Sequence, residues 1–171
     1  MRKPIIAGNW KMNKTVEESI ELTNAIKRGV YDIETVEIVL CPPFTSLSNV
    51  NEMLVDTNIE LGAQDCYWQN SGAYTGKVAP KMLKSAGCKY VIIGHSERRA
   101  MFGDTNETVN KKVLAALQEG LNPIMCVGER LEERESNKTF DVVRDHIEGG
   151  LKNVKIENMQ NLIIAYEPVW A

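Results

Sequence analysis

Asn9, Lys11, His95 and Glu167 each follow a short apolar run, and they supply an amide, an ammonium, an imidazole and a carboxylate. A carboxylate can take a proton from carbon, an imidazole N–H can polarise a carbonyl, and an ammonium can hold a phosphate or a growing oxyanion. Taken singly, each has an ordinary reading: a turn carboxylate, a structural hydrogen-bond donor, a solvated loop lysine. Cys41, Gln64, and Cys126 with Glu129 occupy the same position after three further runs. In a parallel α/β protein the C-terminal ends of the strands are where ligands bind, so the set would gather an amide, an ammonium, an imidazole and a carboxylate at one face of one sheet. Two other chemistries fit poorly. His95-Ser96-Glu97 lacks the P-C-x-x-C that a zinc deaminase requires. Cys126 has no neighbouring histidine in the sequence to make it a thiolate nucleophile.

The elements that must position these groups alternate along the chain. Apolar runs cover 5–7, 36–41, 59–61, 90–93, 123–127 and 162–165. The last is read as a fully buried strand, because it shows no polar alternation. Helical patterns lie between them. The first starts from Thr15 with Glu18 as its capping partner, carries Val16, Ile20, Thr23 and Ile26 on one face, and is expected to stop at Gly29. The next clear one runs from Asp104, with Glu107 as its partner, through Val109, Val113 and Leu117 to Gly120. A third carries Phe140, Val143, Ile147 and Leu151 and ends near Gly149-Gly150. Shorter patterns span 47–54 and 80–86, the latter closed by Gly87, and Ser96 to Arg99 reads as a first helical turn after the fourth strand. Six strands with five connecting helices predict a parallel sheet with right-handed crossovers, in one unit spanning residues 1-171. Gly8-Asn9-Trp10-Lys11-Met12-Asn13 replaces the G-x-G-x-x-G expected after the first strand of an open dinucleotide-binding sheet. A closed β/α barrel would also bring the polar strand ends round one mouth.

Composition narrows the setting. The 171 residues carry a net charge of −3 and a hydrophobic fraction of 43%, ordinary for a soluble globular protein, and no basic tract suggests nucleic acid. No apolar run approaches the roughly 20 residues of a membrane span, and the N-terminus lacks a signal peptide's apolar core and cleavage site. The four cysteines (Cys41, Cys66, Cys88, Cys126) are widely spaced, which fits reduced thiols in the cytoplasm better than disulfides or zinc.

Three segments carry a family resemblance: Gly8-Asn9-Trp10-Lys11-Met12-Asn13, Gly94-His95-Ser96-Glu97-Arg98-Arg99 and Ala165-Tyr166-Glu167-Pro168-Val169-Trp170-Ala171. With Cys41-Pro42-Pro43-Phe44, Leu61-Gly62-Ala63-Gln64 and Cys126-Val127-Gly128-Glu129, in the same order, the chain resembles the triosephosphate isomerases throughout its length. The resemblance implies a parallel (β/α)8 TIM barrel, of which this chain holds strands one to six. A full barrel of that kind has eight strands and about 250 residues. The missing portion is therefore expected from another chain, or from a longer form of this one. The implied reaction interconverts dihydroxyacetone phosphate and glyceraldehyde 3-phosphate through an enediolate, without cofactor or metal. Glu167 is implied as the base, His95 as the neutral electrophile, Lys11 as the cation for phosphate and oxyanion, and Asn9 as a substrate-binding amide. Glu97, Ser96 and Cys126 are implied as supports around them. The long loop 65–77, with Thr75 at its tip, is implied as the arm of a homodimer. A Schiff-base aldolase using Lys11 is the rival enzyme, and a non-catalytic partial barrel the rival outside enzymology.

Overall fold

A computed structural model describes residues 3–170. Met1, Arg2 and Ala171, which the 1–171 unit and the last motif include, lie outside the described residues. The six strands are β1 (Ile5–Asn9), β2 (Glu37–Cys41), β3 (Ile59–Ala63), β4 (Tyr90–Ile93), β5 (Asn122–Val127) and β6 (Ile163–Tyr166). Among the described residues they form one sheet in the order β1-β2-β3-β4-β5-β6, every neighbouring pair parallel. Each strand pairs with its successor, so the sheet winds in one sense, as in a barrel opened between β6 and β1.

Alternation along the strands builds two apolar layers. Val39, Cys41, Tyr90, Ile92, Ile124 and Cys126 face the concave side, where Ile5, Ile163 and Ala165 join them. Ile38, Leu40, Leu61, Val91, Ile93, Met125 and Val127 pack outward against helices. The helices are α1 (Val16–Val30), α2 (Leu47–Leu54), α3 (Pro80–Ser85), α4 (Ser96–Met101), α5 (Asn106–Glu119), α6 (Leu131–Glu135) and α7 (Thr139–Gly150). Two 3-10 turns, Phe44–Ser46 and Ile156–Asn161, lead into α2 and β6.

Among the described residues seven helices stand where five were expected, because two follow β4 and two follow β5. Within the elements there are four further departures from expectation. Thr15 caps α1 reciprocally with Glu18 as expected, but Gly29 is an ordinary helical residue, and α1 ends after Val30 on Tyr31 with right-handed backbone. Thr105, not Asp104, caps α5, and Thr108 is its partner. Asp104 is drawn away by Arg98 and Lys112, a stronger pull than a backbone amide. Gly120 does close α5 in the left-handed region, at φ 80°. Phe140 is 83% exposed rather than part of the packed stripe, whereas Val143, Ile147 and Leu151 do meet the core. The fourth departure is β6. It alternates, with Ile164 40% and Tyr166 51% exposed, because β6 is an edge strand and its second face has no described neighbour to cover it.

Candidate active site

The first loop sets the cation. Lys11 takes φ 53°, a left-handed conformation that costs an L-residue about 1–2 kcal/mol. Three bonds hold it there. The Lys11 amide donates to Asn9 Oδ1 at 3.0 Å, the Lys11 carbonyl accepts from Gln64 Nε2 at 2.9 Å, and the Lys11 ammonium meets Glu97 Oε1 at 2.9 Å. Gln64 also donates to the Cys41 carbonyl, which ties the ends of β1, β2 and β3 together. The Glu97 carboxylate holds the Lys11 ammonium above its ordinary pKa, and the charge of Glu167 adds to the effect. Glu97 also lies 3.6 Å from His95, which lies 3.1 Å from Glu167, so the ends of β1, β4 and β6 share one mouth, which a flat sheet would not allow.

His95 is the N-cap of α4. Its Nδ1 accepts the Glu97 backbone N–H at 3.2 Å, which commits the ring proton to Nε2. Nε2 then lies 3.1 Å from Glu167 Oε2. The imidazole is buried, with 7% of its side chain exposed, while Glu167 and Lys11 are each 46% exposed. Among the described residues the mouth is thus open to solvent at Glu167 and Lys11.

Behind Glu167, a cavity of about 360 Å³ is lined by Ser96, Cys126, Gly128 and Val169, among others. Ser96 and Cys126 line this cavity together with Glu167. Burial pushes the Cys126 thiol up to about 12, and the charge of Glu167 pushes the same way, so the sulfur stays protonated. Thr75 stands exposed on the loop after β3. Tyr67, Trp68 and Tyr74 stack within that loop, with ring centroids 4.0 Å and 4.8 Å apart.

One residue at the site carried no assigned role in the sequence. Glu129 is fully buried and accepts from Tyr166 Oη at 3.0 Å and Trp170 Nε1 at 3.1 Å, with Arg134 Nη1 at 3.4 Å. Burial opposes its charge, but the donors from Trp170, Tyr166 and Arg134 prevail and hold its carboxyl below the usual carboxylate range. It clamps the two aromatic residues flanking Glu167-Pro168-Val169. Its two aromatic partners are 37 and 41 residues distant, so no local spacing could reveal the clamp. Gly128 completes the clamp, since a Cβ there would sit 1.9 Å from the Glu167 carbonyl oxygen.

This geometry has close counterparts. The family model described as triosephosphate isomerase matches residues 4–171. The chain belongs to the triosephosphate isomerase family. It is 56% identical over 171 residues to the triosephosphate isomerase of Alkaliphilus oremlandii, covering all of this chain and 68% of that one. The same figures hold for the Geotalea uraniireducens triosephosphate isomerase. The crystal structure of triosephosphate isomerase from Bartonella henselae superposes with a TM-score of 0.92 at 46% identity, over 99% of this chain and 70% of that one. The fold is that of a TIM barrel truncated after six strands.

Proposed function

We propose that Glu167, His95, Lys11 and Asn9 carry the family's isomerisation of dihydroxyacetone phosphate and glyceraldehyde 3-phosphate, a step of glycolysis and gluconeogenesis. Glu167 removes a proton from the carbon beside the carbonyl and returns it to the adjacent carbon. His95 gives its Nε2 proton to the carbonyl oxygen that gains charge, then recovers one from the neighbouring hydroxyl oxygen, which becomes the new carbonyl as the enediolate collapses. The Lys11 ammonium and the Asn9 amide hold the phosphate and the oxyanion. Ser96, Glu97 and Cys126 keep these groups in register, Glu97 by holding Lys11. The observation that carries this reading is the 3.1 Å contact between a carboxylate oxygen and an imidazole nitrogen whose partner nitrogen is occupied by a helix amide. A base and an N–H donor so close together can act on adjacent carbon and oxygen atoms of one small substrate.

The functional species is a homodimer in the cytoplasm, with the Thr75 loop docking on the partner near its first loop. Exposed Met12 and Phe102 at the site's rim, 96% and 65% accessible, give such a contact apolar surface. Among the described residues no helix is long and apolar enough to cross a membrane.

The exposed faces of β1 and β6, with Ile6 65% and Ile164 40% accessible, favour one further condition. Turnover requires additional strands between those edges, whether on a longer chain or a second one. An isomerase assay beside an intact mass tests both points. Turnover by a species heavier than 19.2 kDa is expected, and turnover unaffected by Glu167→Gln would refute the assignment of the base.

A further inference from the structure

Helix α4 bears His95 as its cap and Glu97 in its first turn, yet none of its six residues is buried. Apolar packing therefore does not fix its rotation, and polar anchors must. Arg99 supplies one set, donating to the Gly94 carbonyl at 2.9 Å and to Asn106 Oδ1 at 2.8 Å. Arg98 supplies the other. Its Nη2 meets Asp65 Oδ2 at 3.0 Å and its Nε meets Asp104 Oδ2 at 3.1 Å. Both carboxylates are in turn held by one ammonium. Lys112 Nζ lies 2.8 Å from Asp65 Oδ1 and 2.8 Å from Asp104 Oδ1.

We propose that Lys112, on α5, is a positioning residue that acts on the catalytic end of α4 through this ring of four alternating charges, a role that rests on the isomerase reading above. The Lys112 side chain is 3% exposed, and lysine is almost never so deeply buried without paired charge. The ring is neutral as a whole and most of it is screened from water: Asp104 is 7%, Asp65 13% and Arg98 24% exposed. Such pairs are held in one geometry far more firmly than surface ones, because water offers no competing partner. The ring joins the root of the 65–77 loop, the start of α5 and the exposed helix α4. Glu97 follows Arg98's motion directly, and with it go the Lys11 ion pair and the amide that occupies His95 Nδ1. Without the Lys112 charge, two buried carboxylates face a single guanidinium, and α4 loses the geometry that aims its first turn.

The test compares Lys112→Met and Lys112→Arg in the assembly that turns over triose phosphate, reading kcat, KM, melting temperature and the ¹⁵N signals of the His95 ring. The chain has 2 histidines, which keeps those signals assignable. Lys112→Met is expected to lower kcat by about 10- to 100-fold, as sub-ångström misplacement of reacting groups does, with KM little changed. The His95 Nδ1 signal should move away from that of a hydrogen-bonded acceptor, and Lys112→Arg should retain most of both properties. A folded Lys112→Met protein with unchanged kcat, or with unchanged ring signals, overturns the proposal. Where Lys112→Met does not fold, Asp65→Asn must shift the same ring signals, and unchanged signals there are equally fatal. An inactive wild-type assembly would defeat the isomerase reading instead, and the ring signals would still judge the role of Lys112.

Discussion

Glu167 and its two partners define the chemistry at the scale of single residues. Glu167→Gln keeps the side chain's shape and removes its basicity, so kcat should fall by roughly 10²–10⁴-fold, the usual contribution of general-base catalysis. Fold and melting temperature should stay near wild type, because the side chain is 46% exposed, and steady-state assays beside thermal melts check both. Gly128→Ala tests the clamp from the other side. A methyl group 1.9 Å from the Glu167 carbonyl oxygen must displace the strand end or the turn, so a loss of about 1–3 kcal/mol is expected, measurable by denaturant unfolding. Glu129 adds a pH dependence of known sign. Its carboxyl is held below the ordinary range, so the stabilisation it provides is complete above the unfolded carboxylate's pKa and is lost as pH falls through the lowered folded value. The Trp170 indole N–H resonance should therefore hold its position down to about pH 4.5, near the unfolded carboxylate value, and move only in more acidic solution.

At the scale of elements, the site is as ordered as the strand ends and caps that carry it. Legibility in the sequence followed interaction range. The β4 run and the Thr15–Glu18 box depend on neighbours a few residues away, and both appear where the spacing puts them. Asp104 and Phe140 did not behave as their local patterns suggest. Asp104 is captured by Lys112, eight positions on, and Phe140 sits in a first helical turn that finds no cover. Glu129 stayed without a role for the same reason, since its aromatic donors Tyr166 and Trp170 lie far along the chain. Apolar content alone also misread β6, because a parallel strand is buried on both faces only where packed layers cover both, and one face of β6 has no such cover among the described residues. Its apolar edge carries a prediction. Ile164→Lys should reduce self-association of the chain, since a charge on an edge strand discourages pairing with other chains. Sedimentation velocity reads the result.

For the molecule as a whole, curvature is what turns six separate strand ends into a site. β1 and β6 pair with nothing on their outer sides among the described residues, yet Lys11 just past β1 and Glu167 just past β6 are joined through Glu97 and His95. Closing the gap would dry the mouth, which strengthens the base and the ion pairs inside it together. The complete assembly should also be dimeric at micromolar concentration, and a monomeric mass by light scattering would contradict the docking role given to the Thr75 loop. The central claim is that Glu167 moves a carbon-bound proton within reach of His95 and Lys11. Incubating dihydroxyacetone phosphate with the assembly in D₂O tests it most directly. Isomerised product is expected, carrying deuterium on the carbon beside the carbonyl wherever the proton on Glu167 exchanges with solvent before its return. Glu167→Gln should abolish both isomerisation and labelling; equal isomerisation and labelling by the variant would contradict the role of Glu167.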